Sequence, residues 1–201
     1  MESIRRFNVH SSPVGMDQSA LLVIDMQNYF LGSRVASLVG PGKAILPNVR
    51  RLIDHYQENG RPVIYTRHVH AQDGSDLGIL GQWWDENVME GTEEAEIHES
   101  LTPRPDEKVI VKNRYSAFCG TDLEEILSSS DVREVVISGV MTNICCESTA
   151  REAFFRDIWV KFVADATTTV TEAMHIGALL NLAYAFAEVC LTEDTFRRSS
   201  E

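Results

Sequence analysis

Apolar residues along the chain follow two rhythms. Short continuous runs suit strands covered on both faces, and stretches with apolar positions every three or four residues suit helices. The continuous runs lie at residues 20–25 (ALLVID), 62–66 (PVIYT), 108–112 (KVIVK), 134–139 (EVVISG), 159–165 (WVKFVAD) and 187–192 (AEVCLT). Helical spacing appears at 46–59, where Leu46, Val49, Leu52, Ile53 and Tyr56 share a face and Asn59-Gly60 supplies the stop. Further helices are predicted at 122–130, 142–156 and 172–187.

Strands alternating with helices predict an α/β fold with a mostly parallel sheet and right-handed crossovers. In such sheets ligands bind beyond the carboxyl ends of the strands. Asp25, Arg67, Lys112 and the stretch from Gly139 to Cys145 all stand there. The chain reads as a single domain over 1–201, without repeats or an interdomain linker. Its connection at 67–106 is long for a compact domain and reads as lid-like. That connection carries Trp83 and Trp84, expected to pack as a lid or a subunit contact. An acidic tract, EGTEEAEIHE, follows, with one short helix expected over 93–101.

Composition narrows the partners. Of the 201 residues, 44% are hydrophobic, enough for a core that needs no disulfide staple. A net charge of −12 argues against nucleic acid, whose phosphates call for clustered Lys and Arg. The opening residues, MESIRRFNVHSSPVG, lack the apolar stretch of a secretory signal. No run approaches the ~18 apolar residues of a membrane span. A cytoplasmic setting without a membrane partner is therefore expected. Cys119, Cys145, Cys146 and Cys190 would be free thiols there, with no C-x-x-C or zinc-type spacing among them.

Cys145 is the first chemical candidate. It falls in the first turn of the helix that follows the strand ending at Gly139, with Thr142 expected as N-cap and Asn143 as a second capping group. Free N–H groups and the positive end of the helix dipole favour a thiolate at such a place, and the same N–H groups can hold an oxyanion. Cys146 is rotated by roughly 100° and reads as a small buried hydrophobe. A purely structural role for Cys145 stays equally open at this point. Asp25 ends a buried strand, where an unpaired carboxylate is costly. Lys112 ends another strand and is the matching cation. The two form either a structural ion pair or, with Cys145, an acid–base and nucleophile set.

Three segments, LLVIDMQNYF, VKNRYSAFCGTDLEEIL and SGVMTNICCESTAREAFFRDIWVKFVADATTT, resemble the isochorismatase-like cysteine hydrolase superfamily, which includes nicotinamidases, N-carbamoylsarcosine amidases and isochorismatases. The resemblance spans nearly the whole chain. It implies a three-layer α/β/α, Rossmann-like fold with a six-stranded sheet, and an Asp-Lys-Cys triad at Asp25, Lys112 and Cys145. It also implies a cis Val140–Met141 peptide, with the Met141 and Cys145 N–H groups facing the oxyanion. A homo-oligomer, dimer or tetramer, and a small-molecule substrate are expected on the same ground, and no cofactor.

Departures from the family bear on substrate. Nicotinamidases carry an Asp and two His metal ligands after the second strand. Here His70 matches one ligand, but His68 stands where the Asp would be, so no catalytic metal is expected. Gln27 and Phe30 are expected to line one wall, Arg67 to meet a substrate carboxylate, and Tyr115 and Phe118 to form an aromatic wall. Simple packing is the alternative for each. Arg114 is expected in a structural ion pair, and Glu147 with Arg151 as a helix-surface pair. Isochorismatases proper lack the cysteine, since vinyl-ether hydrolysis needs an acid but no thiol. Cys145 therefore points to hydrolysis of an amide or other C–N substrate through a thioester. Vinyl-ether hydrolysis with Asp25 as acid, or a non-catalytic relative, are the alternatives.

Overall fold

The computed structural model describes residues 2–32 and 42–196. Its centre is a six-stranded sheet of β1 (Ser19–Ile24), β2 (Val63–His68), β3 (Lys108–Lys112), β4 (Glu134–Val140), β5 (Trp159–Thr168) and β6 (Glu188–Cys190). The strand order is β3-β2-β1-β4-β5-β6, and every pairing is parallel. The order reverses between β1 and β4, which is where a doubly wound sheet opens a crevice for ligand.

The helices are α1 (Glu2–Arg5), α2 (Asn28–Leu31), α3 (Leu46–Glu58), α4 (Leu80–Trp83), α5 (Leu123–Ser129), α6 (Glu147–Phe154), α7 (Glu172–Ala185) and α8 (Thr192–Thr195). Strand alternation divides the core in two. Leu22, Ile24, Val135 and Ile137 pack with Leu127, Ala150 and Leu182 of α5, α6 and α7. Leu21, Val23 and Val136 pack with Val49, Leu52, Ile53 and Tyr56 of α3. Burying each large aliphatic side chain contributes about 1.5–3 kcal/mol. The result is a three-layer α/β/α fold.

Some boundaries differ from the expectation for identifiable reasons. β6 stops at Cys190 because Thr192 turns into α8, its N–H and hydroxyl both donating to Asp165 Oδ1 at 2.7 and 2.8 Å. The expected helix over 93–101 is two 3-10 turns, Glu93–Ala95 and Glu99–Leu101. Between them, Ile97 bridges to Gln27, an extended pairing that a continuous helix would forbid. Trp83 and Trp84 do not pack inward: they are 72% and 40% exposed, and Leu80 is the α4 residue that enters the interior. Among the described residues no helix is long and apolar enough to cross a membrane.

Gly139 controls how closely β1 and β4 approach. Its φ is +113°, and a Cβ there would run into the Ile24 backbone. Only glycine accepts both conditions. The β4–β5 register shifts between Ile137 and Gly139, so the end of β4 bends as it reaches the crevice.

Candidate active site

Asp25 is the first residue after β1 and has a left-handed backbone, φ +50°. That conformation is uncommon outside glycine and tolerated by Asp. It turns a fully buried carboxylate across the strand ends. Thr66 of β2 donates its hydroxyl to Oδ1 at 2.6 Å and accepts from the Asp25 N–H at 3.1 Å. Lys112, at the end of β3, places Nζ 2.7 Å from Oδ2. At that distance the ammonium and the carboxylate form a buried ion pair, with both side chains shielded from solvent.

Cys145 completes the group, with its thiol in hydrogen-bond reach of Asp25 and Lys112. It sits on a π-helical turn, Thr142–Cys146, that leads into α6. The Val140–Met141 peptide before that turn is cis. The Met141 carbonyl accepts from the N–H groups of Ile144 and Cys146 at 3.1 and 3.2 Å. No acceptor among the described residues meets the Met141 N–H itself. Cys145 keeps 6% exposure while Cys146 keeps none.

The electrostatics differ from the expected thiolate. Burial pushes the Cys145 thiol up to about 12, and the pull of Lys112 downward does not offset burial and Asp25 together. Burial and Asp25 thus favour the thiol over the thiolate. Lys112 shows the opposite balance. Burial works against its charge, but Asp25 and then Cys145 more than compensate, and its pKa is raised.

His68 stands behind the ion pair, with Nδ1 3.5 Å from Lys112 Nζ. Burial, then the Lys112 ammonium, pushes His68 down to about 4 from its ordinary 6.5. Between those two values the unfolded chain binds a proton that the folded chain refuses, so stability falls as pH drops through the window. Relative to a His68→Asn variant, the wild type should lose about 2 kcal/mol between pH 7 and pH 5. Parallel denaturant titrations of the two proteins check this, and equal losses would reject it.

The metal position of nicotinamidases does not suit these residues. His68 Nδ1 faces the Lys112 ammonium at 3.5 Å, so that nitrogen is turned to a cation the chain already supplies. His70 Nδ1 is held 3.3 Å from Asp76 Oδ1, and its buried Nε2 has no partner. Among the described residues no three His, Cys, Asp or Glu side chains are grouped to hold a metal ion.

Several expected wall residues do other work. The Gln27 amide is fully buried, donating to the carbonyls of His68 and Ala95 at 3.1 and 2.9 Å and accepting from the His68 N–H at 2.8 Å. It braces β2 against the 67–106 connection and has no face left for substrate. Arg67 points to the opposite side of β2 from Thr66 and His68. It donates to the Ala95 carbonyl at 2.8 Å and pairs with Glu96 at 2.6 Å, so it does not wait for a carboxylate ligand. Phe118 is buried under the Arg156 guanidinium, 4.7 Å from its ring centroid. It packs in the same core cluster as Cys145, Cys146 and Ala150. Phe30 is half-buried and packs edge-on against Tyr29. Tyr115 is half-buried, and its hydroxyl accepts from Trp84 Nε1 at 2.9 Å.

Thr142 and Asn143 do not cap the helix. The Thr142 hydroxyl meets His175 Nδ1 at 2.8 Å, and Asn143 Oδ1 accepts from the Thr169 hydroxyl at 2.6 Å. Arg114 donates to the carbonyls of Asp76 and Asn113 and forms no ion pair among the described residues. Glu147 and Arg151 pair at 2.6 Å as expected. Sequence reasoning passed over Thr66, His68 as a partner of Lys112, and His175. Thr66 had a signal, since period-two alternation puts it on the face of β2 that His68 uses. His175 had none, because a helix 30 residues downstream reaches Thr142 only through the fold.

Two cavities lie away from this group. One, of about 680 Å³, runs beside Arg61, Arg104 and Lys108 at the amino ends of β2 and β3. The other, of about 460 Å³, lies among Phe154, Trp159, Tyr184 and Phe186.

Comparison with known proteins agrees with the fold. The isochorismatase domain model matches residues 19–194. The chain is 42% identical over 201 residues to nicotinamidase 3 of Arabidopsis thaliana, covering 98% of this chain and 96% of that one. It is 34% identical over 163 residues to an isochorismatase of Bacillus subtilis (strain 168), covering 81% of this chain and 52% of the relative, so it spans about half that protein's length. A cysteine hydrolase from Pseudomonas syringae pv. phaseolicola 1448A superposes with a TM-score of 0.86 at 29% identity, covering 92% and 93% of the two chains. With a domain match over nearly its whole length and a relative this close, the chain belongs to the isochorismatase family of hydrolases.

Proposed function

We propose that this hydrolase is a cysteine amidase that cleaves a small amide or related C–N substrate through a thioester. The observation that carries the reading is the contact of the Cys145 thiol with both Asp25 and Lys112 at the switch point of the sheet. Asp25, beside both the thiol and the Lys112 ammonium, takes the thiol proton as the sulfur attacks the carbonyl carbon. Proton transfer accompanies attack because a buried thiol does not ionise beforehand. The Met141 and Cys145 N–H groups receive the oxyanion. As the tetrahedral species collapses, the C–N bond breaks and Asp25 returns the proton to the leaving amine. Water then attacks the thioester, giving its proton to Asp25. The acid departs and Cys145 recovers its proton. Thr66 and Lys112 hold the Asp25 carboxyl in place as it takes up and gives back each proton.

The relation to a protein named nicotinamidase supports an amide, and nicotinamide is the first substrate to try. The relation to one named isochorismatase supports the second reading, vinyl-ether hydrolysis with Asp25 as acid. The purified protein should be offered nicotinamide, small ureido acids and isochorismate in parallel, with ammonia and pyruvate as readouts. Ammonia release, with an acyl adduct on Cys145 in the intact mass, is expected. Pyruvate from isochorismate with no ammonia from any amide would replace the first reading with the second.

A further inference from the structure

The turn that carries the sulfur is fastened from outside itself. Its first residue, Thr142, is fully buried, follows the cis peptide directly, and sends its hydroxyl 2.8 Å to His175 Nδ1 on the first turn of α7. With the ring proton on Nε2, Nδ1 accepts from the Thr142 hydroxyl, and that is the tautomer in which the bond is made. Burial lowers the basicity of His175, so the neutral ring with a free Nδ1 lone pair is the resting form. A second fastening joins Thr169 to Asn143 at 2.6 Å. Neither His175 nor Thr169 reaches Asp25, Lys112 or Cys145 by a hydrogen bond among the described residues.

We propose that His175 is a positioning residue: through Thr142 it fixes the turn that aims the Met141 N–H and the Cys145 sulfur at the reacting carbonyl. This rests on the amidase reading for its kinetic consequences, but its geometric part stands on the hydrogen bond alone. Without the imidazole acceptor, the Thr142 hydroxyl is left unpaired in a dry site and the turn has reason to rotate. An ångström of misplacement at a nucleophile costs up to about a hundredfold in rate. A residue that merely packed α7 on the sheet would change stability and nothing else.

The test compares His175→Ala with His175→Asn, whose Oδ1 can take the place of the Nδ1 acceptor, and with Thr142→Val, which removes the same bond from the other end. Cys145 alkylation by chloroacetamide, followed by mass spectrometry well below each Tm, reads the sulfur's placement without any substrate. His175→Ala and Thr142→Val should alkylate more slowly than the wild type by about tenfold, with His175→Asn close to wild type. With nicotinamide as substrate, kcat should fall in the first two variants while KM stays within about twofold. Combining His175→Ala with Thr142→Val should add little to either single change. Wild-type alkylation in a folded His175→Ala, or an Asn variant as slow as the Ala variant, would overturn the proposal. If His175→Ala does not fold, Thr142→Val decides by the same readout. If the wild type releases no ammonia from any amide, the amidase reading fails, while the alkylation series still decides the role of His175.

Discussion

Cys145→Ala should abolish ammonia release, lowering kcat by at least about 10³-fold, while the protein stays folded. The size of the effect follows from the chemistry: without sulfur there is no thioester, and Asp25 has no proton to collect. The fold should tolerate the change, since the missing atom leaves a small space and costs about 1 kcal/mol. Cys146→Ala is the internal control. Its sulfur is buried beside the first, so it should lose similar stability and keep turnover. Ammonia assays and thermal melts on both variants check the pair. The same variant separates the two reactions, because vinyl-ether hydrolysis by Asp25 needs no thiol and should survive in Cys145→Ala. Full amide turnover without the sulfur would end the thioester mechanism.

Lys112→Met should be the most damaging single change to stability. It strands the Asp25 carboxylate, fully buried, without its cation. Breaking a buried pair by removing one partner costs about 3–5 kcal/mol. The Arg114 carbonyl, which accepts from Lys112 Nζ at 3.1 Å, loses its donor as well. Pairing the change with Asp25→Asn should restore most of the lost stability, because an amide is neutral and Thr66 and the backbone remain to meet it. Turnover should stay absent in the double variant. Urea unfolding of the two singles and the double gives the coupling energy directly. A Lys112→Met protein as stable as wild type would mean that the buried pair contributes nothing to folding.

Much of this architecture could be read from residue order. KVIVK is β3 from end to end, because a short apolar run between charges has few other solutions. The buried run before Asp25 placed a carboxylate at a strand end, and Gly139 placed the nucleophile's turn at another. Tertiary partners were the part that stayed hidden. Gln27 looked available until the 95–97 segment folded back onto it, and Arg67 looked like a ligand group until Glu96 arrived from the same connection. Phe118 and Tyr115 belong to one packing region, and the Arg156 guanidinium over the Phe118 ring comes from a part of the chain that sequence order does not connect to it. The thiol's protonation was misjudged for a general reason. A helix terminus and a lysine are visible in sequence, whereas desolvation depends on every neighbour at once.

The tight seam at Gly139 has an evolutionary implication. Proton carrier and nucleophile hang from two strands whose main chains touch there, so the chemical machinery tolerates little retailoring. Diversity has to come from elsewhere, and the long stretch between β2 and β3, which leaves Trp83 and Trp84 outside, is free to vary. Any change in that stretch still has to keep Ala95 against Gln27 and Arg67, because those bonds moor it to the strands that carry the chemistry.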